Sequence, residues 1–300
     1  MSDSVLILGG TGYLGSRLAA ACVAEGWQVT VLKRRTSDLH RLEGLEDVAL
    51  VDLEDGGSDG AFHAVSGADV VVHAAGAYGR SGEGCADLLE ANTTLPLRLL
   101  DAAVAAGTPT FVSAGTSLNE TLNGYALSKH QFSQWGELVC ANCRMLFLDA
   151  SIEHFYGPGD NDMKFVTHAA RAFLAGEEEY GLTPGEQERD FIYIDDVVSA
   201  FVAIMRQAPQ MAPGYREIDV GSGESVTIRH FIEVLRELSH SATRPVFGAL
   251  PYRPHEVMHS CADTTSLREL GWSPRVCLRD GITKMLDGER RCAVDRLQRA

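Results

Sequence analysis

A glycine-rich turn close to the amino terminus constrains the fold of this chain more than any other feature. Val5–Leu8 is a short apolar run that predicts a strand, and Tyr13–Glu25 has apolar residues at helical spacing. The spacing between them, G-x-x-G-x-x-G, permits a tight turn and lets the backbone approach a pyrophosphate at the helix N-terminus. The turn therefore predicts a dinucleotide site; a purely structural turn is the alternative that the flanking strand and helix disfavour. The expected contacts are Gly9, Thr11, Gly12, Tyr13, Leu14 and Gly15.

The elements that follow the turn predict a parallel sheet. Helical patterns such as Leu88–Ala106 separate the next expected strands. These strands are Gln28–Leu32, Val48–Val51, Val70–Val72 and Thr110–Val112. Alternating strands and helices place helices on both faces of a sheet. We therefore predict an α/β fold with a Rossmann-type, doubly wound parallel sheet.

A turn-rich break marks the expected domain boundary. A strand predicted at Met145–Ala150 is followed by Tyr156–Asp160, which is rich in glycine and proline. Residues 1–155 are predicted to form the dinucleotide-binding domain, with some later segments returning to it, and residues 156–300 to form mainly a smaller α/β substrate lobe. The helices expected in this second half are Phe165–Ala175, Asp195–Arg206 and Ile228–Leu238.

Composition and charge narrow the class of protein. The chain has 300 residues, 45% hydrophobic and 22% charged, which is typical of a globular protein. Its net charge of −15 disfavours nucleic acid and anionic membranes as partners. Seven scattered cysteines, with Cys140 and Cys143 as a single C-x-x-C, predict neither a disulfide framework nor a metal site. Because no basic leader follows Met1 and no apolar stretch reaches membrane-spanning length, we expect a cytoplasmic protein.

A basic cluster after the second strand indicates which dinucleotide is bound. An NAD site normally has an acid there, which binds the ribose 2′-hydroxyl. This chain instead has Lys33, Arg34 and Arg35, whose cations suit the 2′-phosphate of NADP. The alternative is a solvated basic turn. We predict that all three residues contact NADP(H).

Three residues form the candidate catalytic set. Ser113 follows the strand Thr110–Val112, and parallel sheets bind ligands beyond the carboxyl ends of their strands. Tyr125 and Lys129 lie four residues apart, so on a helix they share a face. The Y-x-x-x-K spacing is common by chance, and it gains weight from the glycine turn and from the serine at a strand end.

Together these residues resemble the extended branch of the short-chain dehydrogenase/reductase superfamily, the NAD-dependent epimerase/dehydratase family, whose members modify nucleotide sugars and related ketones. The resemblance covers nearly the whole chain and includes further motifs. They are Asp52-Leu53, His73-Ala74-Ala75-Gly76, Asn92, Tyr156–Asp160, Arg189–Asp196, Arg253-Pro254-His255-Glu256 and Leu270–Pro274. The resemblance implies that the cofactor also contacts Asp52, Leu53, Ala74, Ala75, Gly76, Asn92, Tyr125 and Lys129.

The resemblance also implies a role for each catalytic residue. Tyr125 would exchange a proton with the substrate oxygen, Lys129 would lower the pKa of Tyr125 and hold the nicotinamide ribose, and Ser113 would hydrogen-bond the same oxygen. Work near neutrality requires the pKa of the tyrosine to fall by about three units, or roughly 4 kcal/mol. Ser113–Thr116 is similar to the matching stretch of dihydroflavonol reductases, which favours Ser113 over Thr116 as the hydroxyl.

The second lobe is expected to bind a nucleotide diphosphate sugar. Arg189 and Arg253 stand where related epimerases place arginines on the two phosphates; alternatively, each arginine has only a structural role, Arg189 by pairing with a neighbouring acid. The expected substrate contacts are Tyr78, Thr116, His154, Asn161, Arg189 and Arg253.

Departures from the family pattern favour one activity. Ala114 and Gly115 stand where the dehydratases carry an Asp-Glu pair, and Lys33 stands where NAD-retaining epimerases carry an acid. The stretches Leu32–Ser37 and Leu182–Phe191 look most like bacterial ketoreductases of deoxysugar pathways. We therefore expect an NADPH-dependent reductase of a 4-keto-6-deoxy nucleotide sugar that also forms a homodimer. The alternatives are a nucleotide-sugar epimerase, a reductase of a non-sugar ketone and a non-catalytic NADP-binding sensor.

Overall fold

The computed structural model describes residues 4–54, 60–80, 82–254 and 256–299; Met1 and His255, named above, lie outside them. The strands in these ranges are β1 Ser4–Leu8, β2 Gln28–Lys33, β3 Val48–Asp52, β4 Val70–His73, β5 Thr110–Ala114, β6 Leu146–Ile152, β7 His154–Tyr156, β8 Glu179–Leu182, β9 Glu188–Tyr193, β10 Gly214–Val220, β11 Ser225–Thr227 and β12 Arg244–Phe247. The α-helices are α1 Tyr13–Ala24, α2 Cys85–Leu89, α3 Leu95–Ala106, α4 Gly124–Cys140, α5 Phe165–Ala175, α6 Ile194–Gln207, α7 Ile228–Ser239, α8 Thr265–Glu269 and α9 Leu278–Arg299.

The chain divides into two compact units. The first consists of Met1–Ile152, Val198–Asp219 and Ser266–Trp272. The second consists of Glu153–Val197, Val220–Thr265 and Ser273–Ala300. None of the helices in the described ranges is long and apolar enough to cross a membrane.

A seven-stranded sheet forms the centre of the first unit. Its strand order is β10-β6-β5-β4-β1-β2-β3, and the pairs from β6 to β3 are parallel. The order of the strands reverses at β1, whose Leu8 pairs with Leu32 of β2 on one side and with His73 of β4 on the other. Ligands of such sheets bind beyond the carboxyl ends of the strands at this reversal. The predicted Rossmann-type fold is confirmed.

The expected helix Leu88–Ala106 is interrupted. α2 ends at Leu89, a π-helical turn spans Glu90–Thr94, and α3 begins at Leu95. Pro96 lies in the first turn of α3 and has no backbone N–H, so it cannot continue the hydrogen-bond ladder of the preceding turn. The interruption holds Asn92 in a π-turn, a geometry often found at functional sites.

The second unit contains two small sheets. β7 lies parallel and β11 antiparallel to β9, and β8 pairs in parallel with β12. Its core includes the buried rings of Tyr156, Phe191 and Phe231, which contact one another at centroid distances of 4.2 to 6.4 Å. The three helices expected in the second half of the chain are present, within one residue at each end, and most of α6 belongs to the first unit. The strands of this unit were not predicted, because four of the five have only three or four residues and show little alternation.

Candidate active site

The glycine turn leaves the N-terminus of α1 open. Gly9 has a φ of +87°, which favours glycine, and its carbonyl accepts a hydrogen bond from Gly12 N at 2.9 Å. Gly12 caps α1 without a side-chain hydrogen bond, and the first turn contains no acid. The first N–H groups of a helix have no partner within the helix, so those following Gly12 can bind an anion. This backbone geometry fits the pyrophosphate of a dinucleotide.

The basic cluster is partly neutralised. Lys33, at the end of β2, forms an ion pair with Asp52 at the end of β3, and Arg35 Nε lies 3.9 Å from the same carboxylate. Leu53 N donates to the Lys33 carbonyl at 2.7 Å, which holds the two strand ends together. Arg34 and Arg35 are exposed. Asp52 and Lys33 therefore contact each other, and the two arginines present the exposed positive charge.

The loop after β4 joins the glycine turn to the candidate catalytic residues. A Cβ on Gly9 would lie 2.5 Å from Ala75 N, so only glycine permits this approach, and Ala74 N donates to Leu8 O at 2.9 Å. A Cβ on Gly76 would lie 3.6 Å from Lys129 Cε and 3.8 Å from Tyr125 Cε2. The predicted cofactor loop and the Tyr-Lys pair are thus in contact.

Asn92 braces this loop. Its Nδ2 donates to Ala77 O and Ser128 Oγ, both at 2.9 Å, and its Oδ1 accepts from Ala77 N at 2.8 Å. The amide is buried, and these bonds satisfy it within the protein. Asn92 therefore connects the β4 loop to α4, which positions the candidate site.

Lys129 is held by backbone carbonyls. Asn123 caps α4 by accepting from Ala126 N at 2.9 Å, which starts the helix just before Tyr125. One turn later, Lys129 Nζ donates to Ala75 O at 3.1 Å and to Ala114 O at 2.9 Å. Burial lowers the pKa of Lys129 to about 8, against the charge of Asp149, which raises it.

The surroundings of Tyr125 differ from the expectation. Burial raises the pKa of Tyr125 well above its ordinary value, the nearby Tyr78 raises it further, and a hydrogen bond with Thr116 lowers it. The Tyr78 ring stacks on the Tyr125 ring at 4.7 Å. Desolvation of the phenol has the largest influence on its pKa, and the lowering by Lys129 that the resemblance implies stays a prediction. Ser113 is buried at the end of β5, where it pairs with His73 of β4.

Three of the predicted substrate residues of the second unit, Arg189, Arg253 and His154, lie in a polar cluster with Glu153 and Glu256. Arg189 Nη2 contacts Glu256 Oε1 at 2.6 Å, and the charge of Arg253 lowers the pKa of Arg189, after the larger effect of burial. The pairing of Arg189 with an acid, left open by the sequence, is therefore observed. His154 Nδ1 lies 3.2 Å from Glu153 Oε2. Asn161 is exposed in the turn after β7, where its Oδ1 accepts from Met163 N at 2.8 Å.

Sequence reasoning missed three carboxylates near the predicted residues. Glu153 and Glu256 partner His154 and Arg189, and Asp149 acts on Lys129. Asp149 could have been recognised from the sequence, because it is the charged residue of the strand Leu146–Ile152, whose other residues are apolar or small. Within the described ranges, His, Cys, Asp and Glu side chains form no group of three placed to hold a metal ion.

Known proteins resemble the chain over nearly its whole length. The sequence pattern of the NAD dependent epimerase/dehydratase family matches residues 5–221. The CDP-abequose synthase of Salmonella muenchen is 29% identical over 294 residues, covering 95% of this chain and 98% of that protein. The enzyme of the same name from Salmonella typhimurium is 27% identical over 301 residues, with 95% and 98% coverage.

A solved structure shares the fold. UDP-glucose 4-epimerase of Thermus thermophilus, in complex with NAD, matches with a TM-score of 0.80 at 24% identity, over 96% of this chain and 99% of that one. The family pattern covers more than two thirds of the chain and includes the glycine turn and the Tyr-Lys pair. The chain belongs to the NAD dependent epimerase/dehydratase family.

Proposed function

We propose that this enzyme is an NADPH-dependent reductase of a 4-keto-6-deoxy nucleotide sugar. One observation carries the proposal: a half-buried tyrosine, whose phenol is hydrogen-bonded to Thr116 and lies one turn from Lys129, adjoins the dinucleotide loop in a chain that matches a CDP-abequose synthase over 95% of its length. Catalysis is assigned to Tyr125 and Lys129 together with the Ser113 or Thr116 hydroxyl.

The dinucleotide would be held by backbone. The N–H groups at the start of α1 would bind the pyrophosphate, and the loop Ala74–Gly76 would pack along the cofactor beside Lys129. When bound, NADPH supplies a hydride to the carbonyl carbon of the substrate. Lys129, fixed on two carbonyls, would direct its remaining N–H toward the nicotinamide ribose.

Tyr125 would supply the proton. Its raised pKa keeps the phenol neutral at physiological pH, so the hydroxyl carries the proton that the substrate oxygen requires. A hydrogen bond from Thr116 would stabilise the phenolate left after transfer. This protonation state suits reduction, whereas an epimerase must first remove a proton from an alcohol.

The choice of NADP over NAD rests on charge. Arg34 and Arg35 are exposed beyond β2. The Asp52 carboxylate, at the end of the neighbouring strand β3, is neutralised by Lys33. An anionic 2′-phosphate is therefore attracted, and a ribose hydroxyl finds no unpaired carboxylate at Asp52. The Thermus epimerase above binds NAD, so this preference is a feature proposed for this chain.

The polar cluster of the second unit supports a substrate with a diphosphate. Arg253 is exposed, and Arg189 and His154 each contact a carboxylate that fixes their position. Acid chemistry on the sugar ring is disfavoured, because a side chain at Gly115 would overlap Asp149. Dehydration, which uses an acid there in related enzymes, is therefore not expected.

A screen of NADPH oxidation tests the proposal. Purified protein is incubated with 4-keto-6-deoxy sugars linked to CDP, dTDP, GDP or UDP, and absorbance is followed at the NADPH band. Net oxidation with at least one of them, and none with a diphosphate-free ketone, supports the proposal. Tightly retained NAD with epimerisation and no net turnover would instead support the epimerase, the activity named for the Thermus relative.

A further inference from the structure

Asp149 is a buried carboxylate that the mechanism above leaves unused. It lies on β6 with 5% of its surface exposed. Its Oδ2 accepts a hydrogen bond from Ser133 Oγ of α4, and its Oδ1 has no hydrogen-bond partner in the described part of the chain. A buried carboxylate oxygen without a hydrogen bond is costly unless a nearby cation compensates it.

The backbone at Gly115 connects Asp149 Oδ1 to the surroundings of Lys129. A Cβ on Gly115 would lie 2.5 Å from Asp149 Oδ1, so the carboxylate occupies the space of a missing side chain. Gly115 follows Ala114, whose carbonyl oxygen accepts a hydrogen bond from Lys129 Nζ at 2.9 Å. Ser133 lies one turn after Lys129 on α4, so one helix face carries both the ammonium and the donor to Asp149.

We propose that Asp149 is a positioning residue for Lys129: its carboxylate, held by Ser133 and enclosed by Gly115, is the buried counter-charge that keeps the Lys129 ammonium protonated between the Ala75 and Ala114 carbonyls. The inference deepens the proposed function, because it concerns the lysine assigned to the nicotinamide ribose. Asp149 itself contacts neither cofactor nor substrate in this scheme.

The electrostatics of the site agree with the geometry. Burial raises the pKa of Asp149 to about 6, against the lowering effects of Ser133 and Lys129, so the carboxylate is ionised at neutral pH. Other titratable groups surround the pair. They are His73 on β4, His130 on α4, and Tyr215 and Glu217 on β10. Burial keeps His73 neutral, burial together with Asp149 keeps Tyr215 neutral, and Glu217 is exposed, so Asp149 is the buried carboxylate that acts on the Lys129 ammonium.

The lysine content of the chain permits a direct test. There are four lysines, Lys33, Lys129, Lys164 and Lys284, so protein labelled with ¹³C at lysine Cε gives four NMR signals, and Lys129→Arg assigns one. In the wild type, the Lys129 signal should titrate near pH 8 and show a second, smaller inflection near pH 6 as Asp149 ionises. In Asp149→Asn, the pKa of Lys129 should fall by about one unit or more, and the inflection near pH 6 should vanish.

Matched variants separate charge from packing. Ser133→Ala removes the hydrogen bond and keeps the carboxylate, so the inflection that reports Asp149 should move to higher pH while the Lys129 signal keeps it. Glu217→Gln removes an exposed acid of β10 and should leave the main Lys129 titration unchanged. An unchanged Lys129 pKa in folded Asp149→Asn would overturn the proposal. If that variant fails to fold, a wild-type Lys129 signal without the inflection near pH 6 would overturn it equally.

Kinetics connect the result to activity. The alkaline limb of the kcat/KM profile should move to lower pH in Asp149→Asn, parallel to the NMR titration. A lowered Lys129 pKa with an unchanged rate profile would uphold the counter-charge and overturn the role proposed for Lys129. The inference and the proposed function therefore fail in distinguishable ways.

Discussion

Tyr125 shows how strongly the pKa of a single half-buried side chain depends on its surroundings. A free phenol loses its proton near pH 10, and burial moves the pKa of Tyr125 higher still. The hydrogen bond with Thr116 and the positive charge of Arg80 act in the opposite direction. This raised pKa keeps the phenol protonated at physiological pH, as the proposed role in proton transfer requires.

Removing the phenol hydroxyl tests this assignment. Tyr125→Phe should lower kcat by about 100-fold or more, because general-acid catalysis is lost, and should leave NADPH affinity nearly unchanged. Turnover is measured by NADPH oxidation and affinity by calorimetry. Near-normal turnover in the folded variant would mean that another residue supplies the proton.

Two hydroxyls compete for the position beside the phenol. The sequence favours Ser113, and the structure gives Tyr125 a hydrogen bond with Thr116. Because that bond stabilises the phenolate, Thr116→Val should lower kcat about 10-fold and shift the Tyr125-dependent limb to higher pH. Ser113→Ala is the matched variant and should move this limb less. The reverse order would return the role to Ser113.

Among the structural elements, we expect the ends of β2 and β3 to determine the choice of cofactor. Lys33 and Asp52 neutralise each other across the two strands, and Arg34 and Arg35 remain exposed. We predict that NADPH binds at least about tenfold more tightly than NADH, a difference of roughly 1.4 kcal/mol. Calorimetric titration of both cofactors measures it, and equal or reversed affinities would contradict the prediction.

Variants of Arg34 and Lys33 separate their contributions to the preference for NADPH over NADH. Arg34→Ala should weaken NADPH binding about tenfold and leave NADH unaffected, since only NADPH carries the 2′-phosphate. Lys33→Ala should reduce the preference for NADPH by strengthening the binding of NADH, because an unpaired Asp52 carboxylate becomes available to a ribose hydroxyl.

The elements differ in how well the sequence predicts them. β1, the glycine turn and α1 follow from local patterns, since a short apolar run, closely spaced glycines and helical periodicity each have one physical reading. The π-turn at Asn92 was missed because helical periodicity continues through it. Strands such as Ser225–Thr227 are too short to show alternation, and pairing with β9 decides their conformation.

The candidate site also contains residues that the sequence predicts and partners that it does not. Tyr125 and Lys129 were predicted from their four-residue spacing, which is a local pattern. The partners of Arg189 and Lys129 were not predicted, because Glu256 is 67 residues from Arg189 and Asp149 lies on a different element from Lys129. Contacts of this kind depend on the tertiary fold, which sequence spacing does not encode.

At the scale of the whole molecule, one face of α4 indicates self-association. Leu127, Trp135 and Leu138 are 45%, 45% and 58% exposed, and their spacing places them along one stripe of the helix. We predict a homodimer that buries this stripe. Light scattering should give twice the mass of the chain for the wild type and one chain for Trp135→Glu. Leu250→Glu, at an exposed leucine of the other unit, is the control and should stay dimeric.

The substrate class is a property of the whole enzyme, and the two arginines of the second unit test it. Arg253 is exposed, so Arg253→Ala should leave the fold intact and raise the KM for the nucleotide sugar by about 10- to 100-fold, with NADPH affinity unchanged. Arg189 is buried against Glu256, and its removal leaves that carboxylate unpaired. Arg189→Ala should therefore lower the melting temperature as well.

A double variant separates binding from stability at Arg189. Arg189→Ala with Glu256→Ala removes both charges, so much of the lost stability should return while KM stays high. The measurements are KM from initial rates and the melting temperature from calorimetry. Wild-type KM in Arg253→Ala and in the double variant, or equally fast reduction of a ketone without a diphosphate, would exclude a nucleotide sugar as substrate. The reductase assignment would then still hold, because it depends on Tyr125 and Lys129 in the other unit.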